Sequence, residues 1–141
     1  MRRETLHLTL AFIGDVAPGR LAELQDIAAS IRLPAFDQAF DRLQCLARKK
    51  IFWAAASAAS PVLLELAAAL NERLKAAAFR TEERPFAAHV TLLRHARCEK
   101  ALTAENLCID WPVRDFVLAE SELKPEGAHY RIVGRWPLAQ T

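Results

Sequence analysis

His7-Leu8-Thr9-Leu10 and His89-Val90-Thr91-Leu92 write one pattern twice: an imidazole, an apolar residue, a hydroxyl, an apolar residue. In an extended chain residues i and i+2 project to the same side, so each motif sets one imidazole beside one hydroxyl. An imidazole titrates near pH ~6.5 and exchanges protons at neutral pH. A hydroxyl donates to oxygen. A single His-x-Thr is short enough to occur by accident and reads as a partly exposed polar pair. Two copies in matching places of two similar stretches read as the two halves of one site.

The elements that must hold these motifs follow from periodicity. Alternation over 7–13 predicts a strand with Leu8, Leu10 and Phe12 on one face, closed by Gly14-Asp15. Leu21, Leu24, Ile27, Ala28 and Ile31 recur at helical spacing between Pro18 and Pro34. "FDQAFDRLQCLA" and "IFWAAA" read as two strands joined by the basic turn Arg48-Lys49-Lys50. Ser60-Pro61 supplies an N-cap and a first-turn proline for a second helix, with Leu63, Leu66, Ala67, Leu70 and Leu74 inward and an end near residue 77. "FAAHVTLLR" follows as the second motif's strand, "TAENL" as a short helix, and the stretches around Pro125-Glu126-Gly127 as a closing hairpin. The order β-α-β-β-α-β, with strands after it, predicts an α+β domain with two related halves.

At 141 residues, 52% hydrophobic and 26% charged, the chain is expected to fold as a single domain over 1–141, which excludes a disordered or low-complexity segment. A net charge of +2 neither demands nor opposes an anionic partner. Cys45, Cys98 and Cys108 are odd in number and lack a C-x-x-C pair, so neither a disulfide framework nor a zinc ribbon is expected, and a reducing cytoplasm fits best. Glu4, His7 and Thr9 interrupt the N-terminal apolar stretch, which reads as a strand rather than an export signal, and no apolar run is long enough for a membrane span. The four histidines have no ligand spacing and the carboxylates do not cluster, so no metal or other cofactor is expected.

The two motifs and their flanks, "HLTLAFIGDV" and "PFAAHVTLLR", together with "FVLAESELKPEGAHYRIVGRWPL", resemble the two-histidine phosphoesterase superfamily. Within it the chain is most similar to the RNA 2′,3′-cyclic phosphodiesterases, also called 2′-5′ RNA ligases. The resemblance covers most of the chain. It implies two pseudo-symmetric lobes, each an antiparallel sheet flanked by helix, with a central active-site cleft across which the motifs face each other. It implies metal-independent opening of a 2′,3′-cyclic phosphate to a 2′-phosphomonoester, with reverse 2′-5′ ligation. In-line attack wants base and acid on opposite sides of phosphorus. His7 is assigned as the acid protonating the leaving 3′ oxygen and His89 as the base activating water; the reverse orientation suits the residues as well. Thr9 and Thr91 would donate to the non-bridging oxygens, where charge develops.

The resemblance also bears on other residues. The family commonly has an arginine where Arg94 stands; alternation puts Arg94 on the face opposite His89, so it either reaches phosphate or is a solvated strand-end charge. Tyr130 stands where the family often has an aromatic, for base stacking or for rim packing. His95 is expected at the surface, and Trp53, Trp111 and Trp136 in the core. Arg48-Lys49-Lys50 is either an RNA-backbone contact or a solvated turn.

Family members usually carry a further strand before the first motif, whereas this chain begins six residues ahead of His7. The domain is therefore read as N-terminally shortened, a monomer for which a strand-exchanged or edge-paired dimer is the alternative. The expected partners are RNA ends or small nucleotides bearing a cyclic phosphate. Two other functions fit the same residues: a cyclic phosphodiesterase for another small nucleotide such as an ADP-ribose cyclic phosphate, and a non-catalytic RNA-end binding domain.

Overall fold

The computed structural model describes residues 2–98, the backbone of 103–104, and 108–140. It is an α+β structure with two α-helices among the described residues, α1 (Leu21–Ala29) and α2 (Pro61–Ala76), and antiparallel strand pairing. The chain divides into two compact units, each stitched from three stretches: Met1–Thr9, Asp37–Ser60 and Pro85–Pro112 in the first, and Leu10–Phe36, Pro61–Arg84 and Val113–Thr141 in the second.

The first unit is built on a four-stranded sheet of β2 (Arg42–Leu46), β3 (Ile51–Ala55), β4 (His89–Arg94) and β5 (Thr103–Ala104), in the order β4-β3-β2-β5. β2 and β3 form the expected hairpin, with Gln44 opposite Trp53 and Leu46 opposite Ile51. The basic turn closes it through Lys50 at φ +53°. Phe40, Ala54 and Val90 form the apolar centre, and Leu8, Leu43, Ala56 and Leu92 pack against it.

The stretch expected as one strand over 36–47 is two. β1 (Phe36–Phe40) pairs with β6 (Ile109–Val113), while β2 pairs with β3. Asp41 makes the corner between them. Its N–H donates to the Ala55 carbonyl at 3.1 Å, and its carboxylate accepts the Ser57 N–H at 2.8 Å and the Ser57 hydroxyl. The Ser57 hydroxyl and N–H hold the Asp41 carboxyl below the usual carboxylate range. On β1 the inward Gln38 is buried yet satisfied: its amide donates to the carbonyls of Ala39 and Ala58, and its oxygen accepts the Ser60 N–H at 2.7 Å.

"TAENL" does not begin as the expected helix. Thr103 and Ala104 pair with Gln44 and Leu43 as β5, and the rest of the segment lies outside the described residues. The cysteine reading also needs correction, because Cys45 on β2 and Cys98 beyond β4 form a disulfide across a sequence separation of 53. Spacing along a chain says nothing of which strands become neighbours. Cys108 is free and exposed.

In the second unit Leu24 of α1 meets Leu74 of α2 and Phe79, with Ala11, Ile13, Val16, Ile27, Ala77 and Leu118 around them. α1 stops at Ala29, short of the Ile31 that helical spacing included and before Pro34 is reached, and the Ser30 hydroxyl donates to the Ile27 carbonyl at 2.6 Å. α2 ends in a Schellman turn. The Phe79 N–H reaches the Leu74 carbonyl at 2.9 Å, the Ala78 N–H reaches the Lys75 carbonyl at 3.0 Å, and Ala78 takes φ +63°. The hairpin of β7 (Asp115–Lys124) and β8 (Gly127–Pro137) turns where expected and carries one bulge, at Leu118/Ala119. Among the described residues no helix is long and apolar enough to cross a membrane.

Candidate active site

Both His-x-Thr motifs lie in the first unit. Their middle residues explain how: Leu8 and Val90 turn into the same apolar cluster, so by alternation His7 and Thr9, and His89 and Thr91, turn away from it. The second motif sits on β4, as expected. The first does not form a strand. After a 3₁₀ turn at Arg3–Thr5, residues 6–13 join no ladder among the described residues. Alternation reports which side chains are inward and not whether a neighbouring strand is there to pair. Its phase also breaks at the Leu10 bend, where the chain passes to the second unit. Beyond it Ala11 and Ile13 turn inward and Phe12 is exposed, reversing the expected face.

The two histidines are held in one way. Nδ1 of His7 lies 2.7 Å from the Thr5 carbonyl oxygen, and Nδ1 of His89 lies 2.8 Å from that of Ala87. A carbonyl oxygen only accepts, so Nδ1 carries the proton in each ring and Nε2 is the basic nitrogen of the neutral imidazole. The segments supplying these carbonyls are themselves tied. The Thr5 hydroxyl donates to the Arg2 carbonyl at 2.8 Å, and the Ala88 carbonyl accepts the Ala56 N–H at 3.2 Å. Neither threonine hydroxyl has a hydrogen bond among the described residues; Thr9 is exposed and Thr91 half-buried.

Arg94 is aimed differently from its sequence phase. The β3–β4 register runs Ala55↔His89, Ala54↔Val90, Trp53↔Thr91, then jumps to Phe52↔Leu93 and Ile51↔Arg94. The extra residue on β4 is a bulge, which shifts alternation by one. Arg94 thus stands opposite Ile51, in phase with Trp53 and Thr91, on the face expected to exclude it. Arg94 is exposed, and no ion pair engages it among the described residues. His95 ends the strand in the left-handed region, φ +58°, exposed as expected. Tyr130 belongs to the second unit, on β8 opposite Ser121. Trp111, expected in the core, is exposed although its ring lies against Phe40, and Trp136 is half-buried against Phe116.

Trp53, expected in the core, is half-buried and contacts His89 instead. The ring centroids are 4.4 Å apart with planes at 37°, and the indole N–H donates to Oε1 of Gln44 at 2.9 Å. The signal was available in part: a hairpin centred on Arg48-Lys49 sets Gln44 opposite Trp53. The β3–β4 pairing that sets Trp53 opposite Thr91 joins strands distant in the chain and has no sequence signature.

A sequence profile described as the 2′-5′ RNA ligase superfamily matches residues 1–124, and so spans both motifs. The chain belongs to this superfamily. This superfamily member is 31% identical over 139 residues to the RNA 2′,3′-cyclic phosphodiesterase of Escherichia coli (strain K12), covering 97% of this chain and 78% of that one. It is 30% identical to the protein of the same name from Thermus thermophilus, covering 94% and 72%. Among solved structures, E. coli LigT complexed with 3′-AMP superposes with a TM-score of 0.87 at 29% identity, over 97% of this chain and 79% of that one. A Thermus thermophilus structure gives 0.83 at 26% identity, over 99% and 81%.

Proposed function

We propose that this superfamily member hydrolyses 2′,3′-cyclic phosphates at RNA or nucleotide ends to 2′-phosphomonoesters. The observation that carries the reading is the repeated Nδ1-to-carbonyl contact, which makes Nε2 the basic nitrogen of both neutral rings, His7 and His89, as acid–base catalysis by the pair requires. The name shared by the characterised relatives supports the reaction class.

In the proposed step His89 takes a proton from water as its oxygen bonds to phosphorus. The bond to the ribose 3′ oxygen breaks, and His7 protonates that oxygen. The Thr9 and Thr91 hydroxyls and the Arg94 guanidinium meet the charge that builds on the non-bridging oxygens. Attack by the 5′-hydroxyl of a second RNA in place of water would give the 2′-5′ linkage that the superfamily's name describes. The deciding assay is turnover of 2′,3′-cyclic AMP, with the product identified as 2′- or 3′-AMP by chromatography. The reading expects 2′-AMP, and a loss of about 100-fold or more in each of His7→Ala and His89→Ala. Full activity in either variant overturns it.

A further inference from the structure

We propose that Trp53 and Gln44 are a positioning pair for His89, an inference that rests on the phosphodiesterase reading above. Three strands put the parts side by side. Gln44 on β2 is opposite Trp53 on β3, and Trp53 is opposite Thr91 on β4, two residues from His89. The Gln44 amide oxygen accepts the indole N–H at 2.9 Å and so sets the tilt of the indole. The indole in turn packs on the His89 imidazole at 4.4 Å.

A histidine's outer torsion is broad and does not by itself choose an orientation. His89 is restrained twice: the Ala87 carbonyl holds its Nδ1 edge at 2.8 Å and Trp53 covers one face. Held at an edge and a face, the ring has a single direction for Nε2. The contact has an electrostatic side too. The negative face of an aromatic ring favours a cation beside it, and His89 becomes an imidazolium as it takes the proton from water. The pair therefore stabilises what forms during the step more than what precedes it, which raises kcat rather than substrate affinity.

The test uses Trp53→Leu, Trp53→Phe, Gln44→Leu and the double variant Gln44→Leu/Trp53→Phe. kcat and KM are measured separately on 2′,3′-cyclic AMP, and ¹⁵N–¹H spectra report the tautomer of the His89 ring. Trp53→Leu should lose about 10- to 100-fold in kcat with KM changed by no more than about 2-fold. Trp53→Phe and Gln44→Leu should each lose less, and the double variant no more than the worse single, because both break one relay. His89 should pass from a single Nδ1–H tautomer to a mixture while His7 keeps its own. A raised KM with kcat retained would make Trp53 a nucleobase platform and overturn the proposal, as would an unchanged kcat or losses that multiply. Should Trp53→Leu fail to fold by circular dichroism, the other three variants decide. A wild-type chain without turnover removes the phosphodiesterase reading, and the His89 spectra of the wild type and Trp53→Phe then decide the positioning alone.

Discussion

Leu8 and Val90, the middle residues of the two motifs, pack into one apolar cluster with Phe40 and Ala54. Each is the anchor from which its neighbouring histidine and threonine project. Truncating either to alanine should cost about 2 kcal/mol, the lower range for partly or just-buried aliphatic residues. The double variant should fall short of the sum because both leave the same void. Urea unfolding measures the stability, and kcat of the folded variants should drop as the histidines lose their footing.

Arg94 shares a face with Thr91 only because of the bulge in β4. Arg94→Ala should weaken binding of the anionic substrate and slow its turnover, and Arg94→Lys should restore part of both, since a lysine keeps the charge but not the fork of donors. Steady-state kinetics on 2′,3′-cyclic AMP distinguishes these outcomes.

Ala78 occupies the left-handed position of the Schellman turn that ends α2, at φ +63°. An L-residue there costs roughly 1–2 kcal/mol, against a smaller entropic loss on placing glycine in the unfolded chain. Ala78→Gly should stabilise the fold by about 0.5–1 kcal/mol, seen as a raised Tm in calorimetry without a change in kcat.

The Asp41 carboxyl is held below its ordinary value by the Ser57 hydroxyl and N–H. A lowered folded value means that the contact stabilises fully above the unfolded carboxylate value, near pH ~3.9, and loses that contribution as pH falls through the folded value. Asp41→Ala should therefore be less stable than the parent at pH 7, and the gap should close under acid. Urea midpoints at pH 7, 4 and 3 report it, and a gap that widens toward pH 3 would contradict the assignment.

The Cys45–Cys98 disulfide closes a long loop, its ends 53 apart in sequence. Chain-entropy reasoning gives such a link up to about 4 kcal/mol. Adding dithiothreitol, or replacing both cysteines by serine, should lower the urea midpoint by a corresponding amount, and the two treatments should agree.

What could be read in advance, and what could not, divides along physical lines. The helices were legible because Leu24 and Ala28 on α1, and Leu63, Leu66, Ala67, Leu70 and Leu74 on α2, recur at helical spacing on one side of each. The closing hairpin was legible because Pro125 and Gly127 punctuate two alternating runs. The motif residues were legible as types and phases. Their surroundings were not, because those depend on pairing. Residues 6–13 alternate like a strand yet find no ladder among the described residues, and Asp41 looks like mid-strand until Ser57 claims its carboxylate. Trp53 comes opposite Thr91 through the pairing of β3 with β4, and Arg94 reaches the same face through the one-residue shift beyond it, neither of which the amino acids announce.

The interleaving of the two units has a consequence for synthesis. The helices α1 and α2 belong to the second unit, whose last stretch, Val113–Thr141, follows every part of the first. On a ribosome the first unit can assemble as soon as Pro85–Pro112 emerges, while the apolar sides of α1 and α2, already made, still lack the β7–β8 hairpin. Nascent chains stalled between those points would carry an assembled four-stranded sheet and a helix pair still uncovered, which is where a chaperone would have something to hold.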